Sequence, residues 1–107
     1  MQTRYNFHFD AGHGWLEVPE ADVKELGIKG DISGFSYRQG DTLYLEEDCD
    51  ASRFLVAYEK REGKRFETRE INDGDQSRIR RMARYEKPPT GLGGARALTA
   101  NADGLSN

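Results

Sequence analysis

Cysteine occurs once in this chain, at Cys49, so no internal disulfide can staple the fold, and the usage suits a reducing compartment. Apolar residues never run to the ~18 that a membrane span needs, and the opening MQTRYNFHFD has no apolar block of a secretory signal. The expectation is a soluble cytoplasmic protein with no membrane partner. Gly12 and Gly14 sit in no GxGxxG or Walker pattern and read as turn residues. Carboxylates cannot be paired at a fixed separation across a cleft, and no Cys/His/Asp nucleophile arrangement stands out. These absences point away from an enzyme and from a resident cofactor.

What remains is charge and aromatic content. At 107 residues there is room for one domain with a modest core. One third of the residues are charged and the mean hydropathy is -0.87, yet five Phe, five Tyr and one Trp are too many for a wholly disordered chain. Charge is uneven along the chain: residues 1–60 hold six Lys/Arg against twelve Asp/Glu, residues 61–107 ten against seven. An acidic first part and a basic second part suit an extended charged partner.

Tyr5, Phe7 and Phe9 alternate with polar residues, and Leu16 and Val18 alternate with Trp15 and Glu17; the two runs predict a hairpin turning at Ala11-Gly12. Pro19 opens a short helix over 19–26, with Gly27 as its left-handed stop and Ile28 folding back on Val23. A second hairpin is expected around Gly40, with Leu43 and Leu45 inward. Asp48 or Asp50 caps a longer helix that carries Phe54, Leu55, Ala57 and Tyr58 and ends at Gly63. Residues 64–71 read as a charged edge strand, and 77–85 as a basic helical turn or a flexible arm. The fold class is α+β: an antiparallel sheet of four or five strands with one short and one longer helix. Residues 1–87 form the domain, with a basic arm over 76–87, and 88–107 form a flexible tail.

Four groups of residues carry candidate chemistry. His8, Asp10, His13 and Glu17 have ligand atoms suited to zinc, but strand faces carry such residues without metal, and the reading assigns no metal site. Glu46-Glu47-Asp48-Cys49-Asp50 has the spacing of a calcium-loop fragment and is better explained as acids at a helix N-terminus. Arg78, Arg80, Arg81, Arg84 and Lys87, with Tyr85 among them, are the binding candidates, because arginine clamps phosphate or carboxylate and tyrosine can stack on a base. Trp15, Tyr37 and Tyr44 lie on the strand alternates opposite the apolar face, either as an exposed contact patch or packed under the second helix.

Two resemblances arise on these residues. The stretch from Gly14 to Glu46, with Leu16-Glu17-Val18-Pro19, Leu26-Gly27-Ile28, Asp31, Gly40-Asp41 and Leu43-Tyr44-Leu45, resembles the AbrB/MazE-type swapped-hairpin module. That resemblance implies an interleaved dimer that binds duplex DNA through basic residues; here Glu17, Glu20, Asp22 and Glu25 stand in the corresponding stretch. The chain from His13 to about Tyr85 also resembles small proteins of phages and other mobile elements. It does so through His13-Gly14-Trp15-Leu16, Ser36-Tyr37, Gly40-Asp41, Tyr44 to Asp50 and Ser77-Arg78-Ile79-Arg80. This second resemblance implies a non-enzymatic accessory protein that meets a host protein or nucleoprotein complex, with nucleic acid as a further partner. The expected mechanism puts phosphate or an acidic surface on residues 78–87 and a second contact on Trp15 and Tyr44. The alternative is a dimeric DNA-binding regulator.

Overall fold

The structure is a computed structural model and describes residues 1–87; the tail expected over 88–107 lies outside the described residues. Six strands and two helices follow in the order β1 (Arg4–Phe9), β2 (Gly14–Pro19), α1 (Glu20–Glu25), β3 (Tyr37–Gln39), β4 (Thr42–Glu46), α2 (Asp50–Glu62), β5 (Glu67–Asn72) and β6 (Ala83–Arg84). Short 3-10 turns occur at Lys29–Asp31 and Arg78–Arg81. All six strands share one sheet in the order β5-β1-β2-β4-β3-β6. The α+β class and the pair of unequal helices match expectation, but the sheet is larger and mixed. β5 runs parallel to β1, and a sixth strand comes from the basic segment, where β6 pairs with β3. Among the described residues, no helix is long and apolar enough to cross a membrane.

Local chemistry explains most element boundaries. In the β1–β2 turn, the Asp10 carboxylate accepts the amides of Gly12 and His13, closing the hairpin with its own side chain. A Cβ at Gly14 would overlap the Phe7 ring, so β2 starts on glycine because that ring lies against it. Helix α1 stops as its sequence indicates: Gly27 takes φ 72°, its amide donates to the Lys24 carbonyl, and Ile28 N–H reaches back to Val23 O at 3.3 Å. Helix α2 stops at Gly63 with φ 75°.

Its start differs from expectation. Asp50 does not cap the helix; its fully buried carboxylate accepts Ser33 N–H, Ser33 Oγ and Ser36 Oγ, tying loop 32–36 to α2. Glu46 takes over the turn before the helix by accepting the amides of Asp48 and Cys49.

The sheet buries both faces. Tyr5, Leu16, Val18, Leu43 and Leu45 point to the helical side and pack with Val23, Ile32, Phe54 and Tyr58. Aromatic rings meet edge to face there, with Tyr5 5.3 Å from Phe54 and 5.0 Å from Phe66. Phe7 and Phe9, expected in the core with Tyr5, are only half-buried; Phe7 packs at the edge of that cluster and also lies against Gly14, while Phe9 is not part of it. The opposite face carries Trp15, Tyr37, Tyr44 and Ile79, with Met82 against them.

Candidate functional site

Trp15 on β2, Tyr44 on β4 and Tyr37 on β3 fall side by side because Trp15 and Tyr44 flank Glu17 in register and Tyr37 pairs with Tyr44. Strand alternation alone sends them to the face away from the helices. They form neither an exposed patch nor a layer under α2. Trp15 is 2 % exposed, because the 3-10 turn Arg78–Arg81 lies over this face and inserts Ile79, itself 0 % exposed, among the rings. A row of three aromatics is too apolar to leave wet, and the chain's own basic segment covers it.

Asp10 locks that cover in place. Its carboxylate accepts the Ser77 amide at 2.8 Å and the Arg80 guanidinium twice, at 2.6 and 2.8 Å, in addition to the two turn amides. The Arg80 guanidinium holds the Asp10 carboxyl well below the usual carboxylate range; burial opposes this, and the amides of Ser77, Gly12 and His13 reinforce it. Reciprocally, the hydrogen bond to Asp10 raises Arg80 above its ordinary value. Ser77 caps the 3-10 turn by accepting Ile79 N–H and donates its hydroxyl to Asp73.

The basic residues expected to bind thus divide into two sets. Arg78, Arg80 and Arg84 stand over the three aromatics, their guanidinium carbons 6.0, 5.4 and 5.1 Å from the ring centroids of Tyr44, Trp15 and Tyr37. Each such contact stabilises by about 0.5–1 kcal/mol at an exposed site. Arg81 and Lys87 project into solvent. Tyr85, expected to stack on a base, is buried on the helical side, where its hydroxyl donates to Lys29 O at 2.6 Å and its amide to Ser36 O. The basic segment is therefore no free arm: Ile79 anchors it on one face of the sheet and Tyr85 on the other.

A groove of about 390 Å³ opens beside this cover. It is lined by Trp15 and Tyr37, with Arg80 and Arg84 over their rings, by Glu46, Asp48 and Cys49, and by His13 and Phe35. Phe35 is 65 % exposed, held out by a loop that Asp50 fixes from below. Arg84 donates to Gly34 O at 3.0 Å, which sets the Arg84 wall against the Phe35 loop. The groove can therefore take an apolar group against Phe35 while its walls offer charge of both signs.

Of the residues singled out in sequence, Trp15, Tyr37, Arg80 and Arg84 meet at this groove, joined by His13 and by Glu46, Asp48 and Cys49; Tyr44, Arg78, Arg81, Tyr85 and Lys87 do not line it. Phe35 was missed, although an apolar residue between Gly34 and Ser36 in a turn is a local sign of an exposed anchor. The ligand set considered for zinc is dispersed. His8 lies between Glu17 at 2.6 Å and Asp73 at 3.2 Å, Asp10 is committed to Arg80, and His13 sits exposed beside Trp15. Among the described residues no three His, Cys, Asp or Glu side chains converge as a metal site.

Sheet and helices define a small α+β fold with a two-sided core. Scans of protein-family models, of curated proteins and of solved structures each found no match to the chain.

Proposed function

We propose that this is a non-enzymatic binding protein of a phage or other mobile element, acting in the cytoplasm on a host protein or nucleoprotein complex. The groove lined by Trp15, Tyr37 and Phe35 is its partner surface. The observation that carries this reading is the convergence of an exposed aromatic, Phe35, with two arginines and two carboxylates on one concavity whose walls are fixed by hydrogen bonds of Arg80, Arg84 and Glu46. Aromatic and arginine side chains on a rigid frame are the composition of interface anchors. In this reading Phe35 enters an apolar pocket of the partner, Arg84 pairs with a partner acid, and Asp48 pairs with a partner base. Arg81 and Lys87 lie outside the groove and speed encounter with an acidic surface or with phosphate. The segments that carry the resemblance to mobile-element proteins, His13 to Leu16, Ser36-Tyr37, Tyr44 to Asp50 and Ser77 to Arg80, meet around the same groove, which supports the assignment.

The test is affinity capture from host lysate with the wild-type protein, Phe35→Asp and Arg84→Glu, each with and without nuclease. A partner retained by wild type through nuclease treatment and lost by both variants is the expected result. Retention of the same partner by both variants would remove the groove from the interface. Capture that disappears with nuclease, together with binding of a duplex by the purified protein, would favour the DNA-binding regulator.

A further inference from the structure

β5 closes one end of the sheet, and its free edge follows a rule that its neighbour on the other side makes explicit. Glu67 N–H donates to Thr3 O and Asp73 N–H to Phe9 O, so residues 67, 69, 71 and 73 direct their backbone groups to β1. The backbone groups of Thr68 and Glu70 therefore point outward, and among the described residues no strand pairs with them. The strand is six residues long and almost wholly exposed, with opposite charges at 67 and 69 on one face of the sheet. Charges on an edge normally discourage pairing with other strands. Here they discourage pairings of the edge with itself about Glu67, Arg69 and Glu70, and leave the axis at Thr68 and those at the far end of the strand, Ile71 and Asn72.

We propose that β5 is a homodimerisation edge, pairing antiparallel with β5 of a second copy about a two-fold axis at Thr68. Antiparallel pairing sets outward-facing residues opposite each other, so the axis must pass through a residue and not between two. An axis at Glu67 opposes Glu67 to itself and Arg65 to Arg69; one at Arg69 opposes two arginines, and one at Glu70 two glutamates. The axis at Thr68 sets Glu67 opposite Arg69 of the partner subunit, twice by symmetry, with hydroxyl facing hydroxyl at the centre. Axes at Ile71 and Asn72 also oppose no like charges, but they set residues 65–68, which line the hollow at this edge, opposite the chain beyond the partner's strand, so the axis at Thr68 is the one that lays a strand along that hollow. A hollow of about 600 Å³ lined by Leu55, Arg65, Phe66, Glu67 and Thr68 borders this edge, and the added strand roofs it, covering the half-buried Leu55 and Phe66. Arg4 Nε is 3.6 Å from Glu67 in the single chain; both partners of that ion pair are exposed, so it yields readily to the stronger demand of a new strand. The dimer joins two six-stranded sheets into one of twelve strands and leaves the Trp15 groove open in each copy.

The experiment is sedimentation analysis of the full chain across protein concentrations reaching millimolar, at low and high salt. Wild type should show a monomer–dimer equilibrium that salt weakens. Arg69→Glu, which opposes two glutamates, should weaken dimerisation about tenfold or more. The double variant Glu67→Arg, Arg69→Glu reverses both charges and should restore it. In a Cys49→Ser background, Thr68→Cys should form an intermolecular disulfide on oxidation, because directly opposed strand residues lie about 5.5 Å apart between Cα atoms, within disulfide reach. These positions are exposed, and unchanged circular dichroism confirms that each variant folds. A monomer at every concentration would overturn the proposal, as would a dimer indifferent to Arg69→Glu or unable to form the Thr68→Cys crosslink.

Discussion

The two faces of the sheet are buried by different means. On the helical face, Tyr5, Leu16, Val18, Leu43 and Leu45 meet Val23, Phe54 and Tyr58, and the buried polar groups sit at its margins, where Tyr5 donates to Asp22 at 2.6 Å and Asp50 accepts from Ser33 and Ser36. On the opposite face three aromatics are covered by a segment of nine residues, 77–85, that brings four arginines with it. Ile79 and Met82 are its only aliphatic contributions to that cluster, so a buried carboxylate, Asp10, must hold it down. One face is stabilised by area removed from water; the other depends on charge-assisted hydrogen bonds that fix a thin cover and, with it, the groove.

Core truncation on the helical face should have the largest effect. Phe54→Ala removes a ring that contacts Tyr5, Tyr58 and Phe66 and should destabilise the whole chain by about 3–5 kcal/mol, read as a shifted midpoint in urea. Asp10→Asn should follow at about 2–3 kcal/mol, since it weakens the Arg80 pair and leaves amides or guanidinium protons unmatched. Its signature is different: Trp15 fluorescence should shift to the red at low denaturant, before the helical signal is lost. A single coincident transition by both probes would show that the two faces unfold as one.

Alkaline pH tests the helical face, and acid pH draws on both. Tyr5, Tyr58 and Tyr85 all belong to the helical side, and burial raises all three above the ordinary value of 10.0. Their contribution is present below pH 10 and is lost as pH rises beyond it, because the unfolded chain ionises first. Tyr5→Phe should flatten that alkaline loss while costing about 1–2 kcal/mol near neutrality through the stranded Asp22.

Carboxylates give the acid side. Glu20, held down to about 2 mainly by its hydrogen bonds from Arg38, contributes stability above its ordinary 4.5 that disappears as pH falls from there toward 2. Asp10 acts in the same direction and persists to lower pH. Asp10→Asn should therefore shrink the acid-induced loss reported by Trp15, leaving the part due to Glu20. Equal acid slopes in the variant and wild type would show that the Asp10–Arg80 pair does not set this limb.

The smallest expected effect is at the rim. Phe35→Ala should change stability by less than about 0.5 kcal/mol, as exposed surface positions do, while abolishing partner capture. A large loss of stability would mean that Phe35 serves the fold.

How far the sequence speaks differs between the faces for a physical reason. The alternation at residues 5–9 and 15–18, the stops at Gly27 and Gly63 and the inward Leu43 and Leu45 are local patterns, and they describe the helical face well. The opposite face is built from pairings between distant positions: Asp10 with Arg80, β1 with β5, Tyr37 with Arg84. An acid and a base seventy residues apart carry no periodic signal, so the basic segment looked like an arm and its arginines looked free. Trp15 was placed on the correct alternate, but what covers it could not be read from its neighbours. The groove shares this limit, since its walls come from four separate segments and Phe35 acquires meaning only where the loop that carries it is fixed by Asp50.

Hydrogen exchange at the backbone amides of residues 77–85 bears most directly on whether the basic segment is a fixed cover. If Asp10 anchors it as described, the amides of Ser77, Ile79, Met82 and Tyr85, which donate to Asp10, Ser77, Ile79 and Ser36, should exchange as slowly as those of β2 and β4. Asp10→Asn should release the first three selectively. Exchange at unprotected rates in the wild type would contradict the assignment and return residues 77–85 to the free arm that the sequence first suggests.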